Sequence, residues 1–454
     1  MDFEMKKEHQ YKAFTDKERE EMNKYADGYK KFLDNGKTER EVVKESIELL
    51  KEKGYKEYTL GDKINKGDKL FFNNRGKGLF IIKAGKADLR ENGIRIMVAH
   101  VDSPRLDLKQ KPMYEENDIC YLKTHYYGGI KKYQWFTIPL ALHGVIIKKD
   151  GTKVEINIGE KEEDPIFYIS DLLPHLSQQM VTEKVSEAFK AENLNIIIGG
   201  NPELECDEKK AVKSNVLKIL NKMYGITEDD FLSAEIEAVP AYKAKDVGFD
   251  RSFVASYGHD DRVCTYPELT ATIDEDTDQT VLTVLADKEE IGSVGVSGME
   301  CILIKDLIDI ISDSYGVPSI LVRSKSKCVS ADVTAAYDPN FKYAFEEKNS
   351  SYAGYGVAMN KFTGARGKSG SSDASAEYVG YIRSIFDKAG IVWQCGELGK
   401  VDLGGGGTVA KFLANYNIET VDLGVPVLSM HAPYELIAKV DLYSAYKAFR
   451  AFVK

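Results

Sequence analysis

Three apolar runs in this chain each hand over to side chains that can hold a metal ion or a proton. Ile94-Arg95-Ile96-Met97-Val98-Ala99 ends on His100, Val281-Leu282-Thr283-Val284-Leu285-Ala286 leads to Glu289-Glu290, and Val425 to Met430 runs into His431. Short continuous runs of this kind read as strands buried in a parallel or mixed sheet. Open α/β sheets gather their ligands beyond the C-terminal ends of such strands, which is where these donors fall. Two adjacent carboxylates on a bend point different ways, so one of Glu289-Glu290 can bind a metal while its neighbour handles a proton. The histidines supply the nitrogen ligands that a hydrolytic zinc site requires.

At 454 residues the chain is too long for one ordinary core, so two domains or a domain with an insertion are expected. Hydrophobic residues at 43% and charged residues at 30% suit a soluble globular protein. The formal net charge of -10 disfavours nucleic acid and anionic membrane as partners. No apolar run approaches the ~20 residues of a membrane span. The start, Met1-Asp2-Phe3-Glu4-Met5-Lys6-Lys7, lacks the apolar stretch of a secretory signal. The cysteines at 120, 206, 264, 301, 328 and 395 form no Cys-x-x-Cys pair and read as reduced, so a cytoplasmic location is expected.

Residues 15–52 read as an amphipathic helix stopped at Gly54. Strands are expected at Lys69–Phe72, Gly78–Ile82, Ile94–Ala99, Val281–Ala286, Ser319–Val322, Val421–Leu423 and Val425–Met430. Helices are expected at Lys209–Tyr224, Leu303–Ile311 and Ala374–Ala389. Between them the texture changes to alternating strands such as Val145–Ile147 and Val154–Ile158, with charged loops. The reading is α/β: a mixed-sheet domain over residues 1–107 and 240–454, with an inserted, mostly β second domain over 108–239.

Each donor also has an ordinary reading. His100 could be a core histidine, and Glu289-Glu290 a solvated acidic loop. Asp260-Asp261-Arg262, after Gly258-His259, offers a carboxylate able to span two metals, yet an aspartate there also suits a helix N-cap. Asp332, after Val329-Ser330-Ala331, could be a turn residue. Asp102 lies two residues beyond His100, where a carboxylate can orient a ligating imidazole. Taken together and in this order, the donors form a joint signal that none carries alone.

The segments Ala99-His100-Val101-Asp102-Ser103-Pro104, Asp260-Asp261-Arg262, Glu289-Glu290-Ile291-Gly292-Ser293, Ser330-Ala331-Asp332 and Leu428-Ser429-Met430-His431 resemble the aspartyl aminopeptidase family of cytosolic dinuclear zinc aminopeptidases. The resemblance extends over nearly the whole chain, including Pro174-His175-Leu176 in the insertion. It implies two divalent metals per subunit, zinc by default, with manganese and cobalt also tolerated by oxygen-rich ligands. His100, Asp260, Glu290, Asp332 and His431 match the metal ligands, with Asp260 preferred to Asp261 as the bridge. Asp102 matches the carboxylate orienting His100, and Glu289 the general base. His175 matches a histidine that is either a further metal ligand or a substrate contact from a neighbouring subunit, and the substrate role is favoured. The implied partners are peptides with a free N-terminus and further copies of the chain, as a homo-oligomer of twelve subunits built through the insertion.

Two segments depart from the family text. Asp338-Pro339-Asn340 stands where many members carry His-Pro-Asn, and residues 361–375 differ near the expected specificity pocket. Lys361, with Arg366 and Lys368, could attract an acidic N-terminal residue, although loop cations are commonly just solvated. The rival readings are an aminopeptidase of neutral specificity, a carboxypeptidase or deacylase of the same architecture, and a silent peptide-binding scaffold. Gly404-Gly405-Gly406-Gly407-Thr408 lacks the Gly-Lys-Ser/Thr of a phosphate loop and reads as a glycine bend.

Overall fold

The runs Arg95–His100 and Val281–Ala286 lie side by side as parallel strands, in register from Arg95 opposite Val281 to His100 opposite Ala286. The computed structural model describes residues 9–203 and 210–454. Met1–Lys7, Cys206 and Lys209, the first residue of the expected 209–224 helix, therefore lie outside the described residues. The chain divides into two compact units. One comprises residues up to Asp102 with Ala244–Met430 and Glu435–Lys454; the other comprises Ser103–Lys243 with His431–Tyr434.

The first unit is built on a nine-stranded mixed sheet. Its centre runs Val281–Ala286, Arg95–His100, Lys327–Ser330, Glu419–Gly424, all parallel. Gly78–Lys83 and Val357–Asn360 flank that centre as antiparallel neighbours. Alternation at period two divides the strand residues between two cores. Met97 and Ala99 join Tyr29, Phe32, Leu50 and Phe449 on one face, while Ile96 and Val98 join Ile304, Leu307 and Ile308 on the other. Side chains such as Leu285 and Val284 are fully buried, each worth roughly 1.5–3 kcal/mol. A second, five-stranded sheet in this unit contains Phe253–Ser256, Glu435–Ala438 and Pro426–Leu428.

Two expected elements are corrected. Residues 15–52 form two helices, Asp16–Asn35 and Glu39–Glu52. Gly36 ends the first by donating its N–H to Phe32 O at 3.0 Å, and Thr38 starts the second in a reciprocal capping box with Glu41. Ser319–Val322 belongs to a helix, Ser319–Lys325, entered through Pro318. So short a run does not distinguish strand from helix, and here Val322 joins the same core as Leu307 and Ile308.

The second unit is a six-stranded antiparallel sheet in the order Lys153–Ile158, Leu140–Ile147, Ala234–Pro240, Arg105–Glu116, Ile119–Tyr127, Ile196–Gly199. The helix Ala211–Tyr224 accompanies it. The described cysteines 120, 264, 301, 328 and 395 are free thiols. Among the described residues no helix is long and apolar enough to cross a membrane.

Candidate metal centre

His100 closes its strand as a buried residue and is gripped from both ends. Its N–H donates to Asp261 Oδ2 at 3.3 Å, and its carbonyl accepts from Thr265 Oγ at 2.8 Å. The imidazole Nδ1 lies 3.0 Å from the Asp102 carbonyl oxygen and 3.3 Å from Asp102 Oδ1. Those oxygens only accept, so Nδ1 carries a proton and Nε2 is the atom turned outward. Nε2 faces Asp260 Oδ1 at 3.1 Å and Asp332 Oδ1 at 3.9 Å.

The neighbours Asp260 and Asp261 thus serve different ends of one histidine. The helix His259–Asp274 has non-helical dihedrals at both residues, after a left-handed Gly258, and this irregular first turn separates the two carboxylates. Asp260 is held in turn by donation of its N–H to Glu435 Oε2 at 3.1 Å. His259 is a core histidine. Its Nε2–H donates to Val254 O at 3.0 Å and its Nδ1 accepts from Tyr29 at 2.8 Å, while burial pushes its pKa down to about 3.

Glu289 and Glu290 stand on a single tight turn after the Val281–Ala286 strand, entered through a left-handed Lys288. Asp102, fully buried, receives both backbone amides: Glu289 N–H on Oδ1 and Glu290 N–H on Oδ2, each at 3.1 Å. One carboxylate therefore ties the imidazole to the acidic pair.

Ligand atoms of His100, Asp260 and Asp332 lie within 4.8 Å of one another, as do those of Asp260 and Glu290. Crowding acids in this way is costly. Burial pushes the Asp332 and Asp261 carboxyls well above the usual range, with Glu289 adding to the effect on Asp332. Burial alone would lower the His100 pKa, yet contact with Asp102 and Asp260 carries it well above the ordinary value. A divalent cation held among these carboxylates would offset their mutual repulsion. One imidazole nitrogen with several carboxylate oxygens is a donor set that suits zinc and tolerates manganese or cobalt. The residues fit the group.

The remaining expected site residues are placed as follows. In the second unit His431 has a left-handed backbone, and its Nδ1–H donates to Gly129 O at 2.7 Å, so Nε2 is again the outward nitrogen. His175 lies in the short turn Pro174–Leu176 and is exposed. Lys361 forms an ion pair with Asp373, which Lys368 shares at 3.0 Å. The glycine run packs against neighbouring backbone: Gly405 has a φ of 112°, and a Cβ there would meet Gly364 O at 2.2 Å. It is a close-approach bend and not a phosphate cradle. The sequence reading missed Glu435 and the backbone contacts of Asp102 and Asp261, because acceptors for main-chain amides leave no spacing pattern.

Comparison with known proteins accords with this geometry. A family model described as Aminopeptidase I zinc metalloprotease (M18) matches residues 32–453. A probable M18 family aminopeptidase 1 of Clostridium acetobutylicum is 47% identical over 449 residues, covering 97% of this chain and 96% of the relative. The crystal structure of an M18-family aminopeptidase from Thermotoga maritima superposes with a TM-score of 0.94 at 43% identity, covering 99% of this chain and all of that one. Aminopeptidase I from Clostridium acetobutylicum gives 0.93 at 43% identity, with both chains covered completely.

Proposed function

We propose, from the premise that this chain belongs to the Aminopeptidase I zinc metalloprotease (M18) family and is a metallo-aminopeptidase, that it removes N-terminal residues by a two-cation mechanism. The residues that would hold the cations are His100, Asp260, Glu290, Asp332 and His431, as the sequence resemblance implies, and Asp260 would be the shared carboxylate. The observation that carries this reading is the convergence of His100, Asp260 and Asp332 within 4.8 Å, while Asp102 holds the Glu289–Glu290 turn against the same histidine. The protonated Nδ1 of His431, engaged with Gly129, supports its role by leaving Nε2 as the donor.

When bound, the cations supply Lewis acidity and bring the pKa of a bound water toward ~7. Glu289 has its backbone fixed by Asp102, and its carboxylate takes a proton from the attacking water. As the new C–O bond forms and the peptide C–N bond breaks, the same carboxyl group returns a proton to the leaving amine. A free substrate α-amine resting against the nearby acids explains cleavage at the first residue. His175 reaches substrate in a neighbouring copy, within a homo-oligomer assembled through the second unit. The exposed Leu172, Leu173, Leu176, Val181 and Val185 of that unit support burial of this face by further copies. The twelve-subunit assembly and cytoplasmic location that the sequence resemblance implies complete the reading.

Lys361 would prefer an acidic N-terminal side chain, which must compete with Asp373 for its ammonium. The Asp373 pair itself favours a second reading, in which the enzyme takes neutral residues. Release from Asp-Ala, Glu-Ala and Leu-Ala, free and N-acetylated, separates these readings. An aminopeptidase refuses the acetylated forms, whereas a deacylase of the same architecture accepts them. Glu289→Gln is expected to lower kcat by at least ~10² while both cations stay bound. Undiminished turnover in that variant would sink the assignment of the base.

A further inference from the structure

The loop that carries Glu289 and Glu290 turns through four residues of positive φ, Lys288, Gly292, Ser293 and Gly295, and exposes Ile291, Val294 and Val296. Core packing does not hold it. Polar ties do. The Asp102 carboxylate grips the amides of Glu289 and Glu290 from one side. Where the loop returns, Ser297 meets Asp287: the Asp287 N–H donates to Ser297 O at 3.3 Å, and the Ser297 hydroxyl donates to Asp287 Oδ2 at 2.6 Å. Asn74 Nδ2 pins the adjoining Val296 carbonyl at 2.9 Å. Within the loop, Ser293 N–H donates to Lys288 O at 2.6 Å and Glu300 N–H to Ser293 O at 3.1 Å.

We infer that Ser297 is a positioning residue for catalysis, closing a neck with Asp287 that sets the orientation of Glu289 two residues along the chain. This rests on the reading of Glu289 as the base. Asp287 is buried, and the carboxylates of Glu39 and Asp102 both bear on it. Its stabilising neighbours are the Ser297 hydroxyl, the Lys288 ammonium at 3.7 Å, and Lys77, whose ammonium lies 3.3 Å from Glu39. The Ser297 bond is the short one, and it is directional. Without it, repulsion from Glu39 and Asp102 turns the Asp287 carboxylate away and the neck opens. Displacing a catalytic group by ~1 Å can cost ~10² in rate.

The test uses the metal-loaded enzyme and compares Ser297→Ala, which removes the hydroxyl, with Asp287→Asn, which keeps an oxygen to accept from it. Ser297→Ala is expected to lower kcat roughly ten- to hundredfold. KM, metal content and melting temperature should stay close to the parent, and Asp287→Asn should retain kcat within about threefold. Unchanged kcat in Ser297→Ala overturns the inference. So does a loss that tracks metal content or melting temperature, which marks a structural role, or an equal loss in Asp287→Asn, which marks a role for the charge alone. Glu289→Gln assayed alongside separates the two readings. If it is inactive while Ser297→Ala is not, only the neck fails; if it is active, the base reading fails first.

Discussion

His100, Asp102 and Glu289 show how much depends on single atoms. Asp102 lies beside His100 Nδ1 and receives two backbone amides at 3.1 Å, so its neighbours define both carboxylate oxygens. The sequence spacing points to its partnership with His100, but says nothing of the amides 187 and 188 positions away. Asp422 offers a separate residue-scale prediction. It sits buried mid-strand; burial pushes its carboxyl up to about 7, against a smaller downward pull from the hydroxyls of Thr408 and Ser330. Because the folded pKa lies above the unfolded value near ~3.9, the folded state binds the extra proton. Its favourable contribution is therefore present below pH ~4 and declines as pH rises toward 7. Asp422→Asn removes this titration and should gain melting temperature relative to the parent between pH 5 and 8, by an amount that grows with pH. A constant difference across that range in thermal unfolding would refute it.

Among the elements, the buried strands were legible in the sequence, whereas the helix at Ser319–Val322 and the break near Gly36 were not. Val281–Ala286 carries six consecutive buried residues, a pattern that reads the same in one dimension as in three. Ser319–Val322 has only four residues, and its tertiary neighbours decided that it became a helix. The split of residues 15–52 was written locally, in Gly36 and in the Thr38–Glu41 box, but lysine and glutamate on both sides conceal it. Thr38 accepts from the Glu41 amide at 3.3 Å. Thr38→Ala should cost ~1 kcal/mol. That appears as a lower urea midpoint with an unchanged slope; an unaltered midpoint would mean the cap contributes nothing.

For the whole molecule, the centre links distant parts of the first unit, because His100, Asp260, Glu290 and Asp332 leave four separate stretches of chain. A cation bound there stabilises the folded state by mass action, about 2.7 kcal/mol when its free concentration is a hundred times Kd. Chelation should therefore lower the melting temperature and abolish peptide release together. Zinc, manganese or cobalt added back should restore both. Calorimetry on stripped and reloaded protein checks this, and a melting temperature indifferent to metal would contradict a site that joins these segments.

The sequence by itself determined the class of fold and singled out the candidate donor side chains, since strand burial and ligand chemistry are properties of residue type and local order. It also held the family, in motifs whose order survives along the chain. Only the tertiary structure decided which atom each donor presents. Asp260 faces the imidazole while Asp261 takes the His100 amide, Lys361 is engaged by Asp373, and Ser297 closes on Asp287. Those outcomes depend on which groups are brought within ~3 Å from remote parts of the chain, and hydrogen-bond geometry at that range has no local sequence signature.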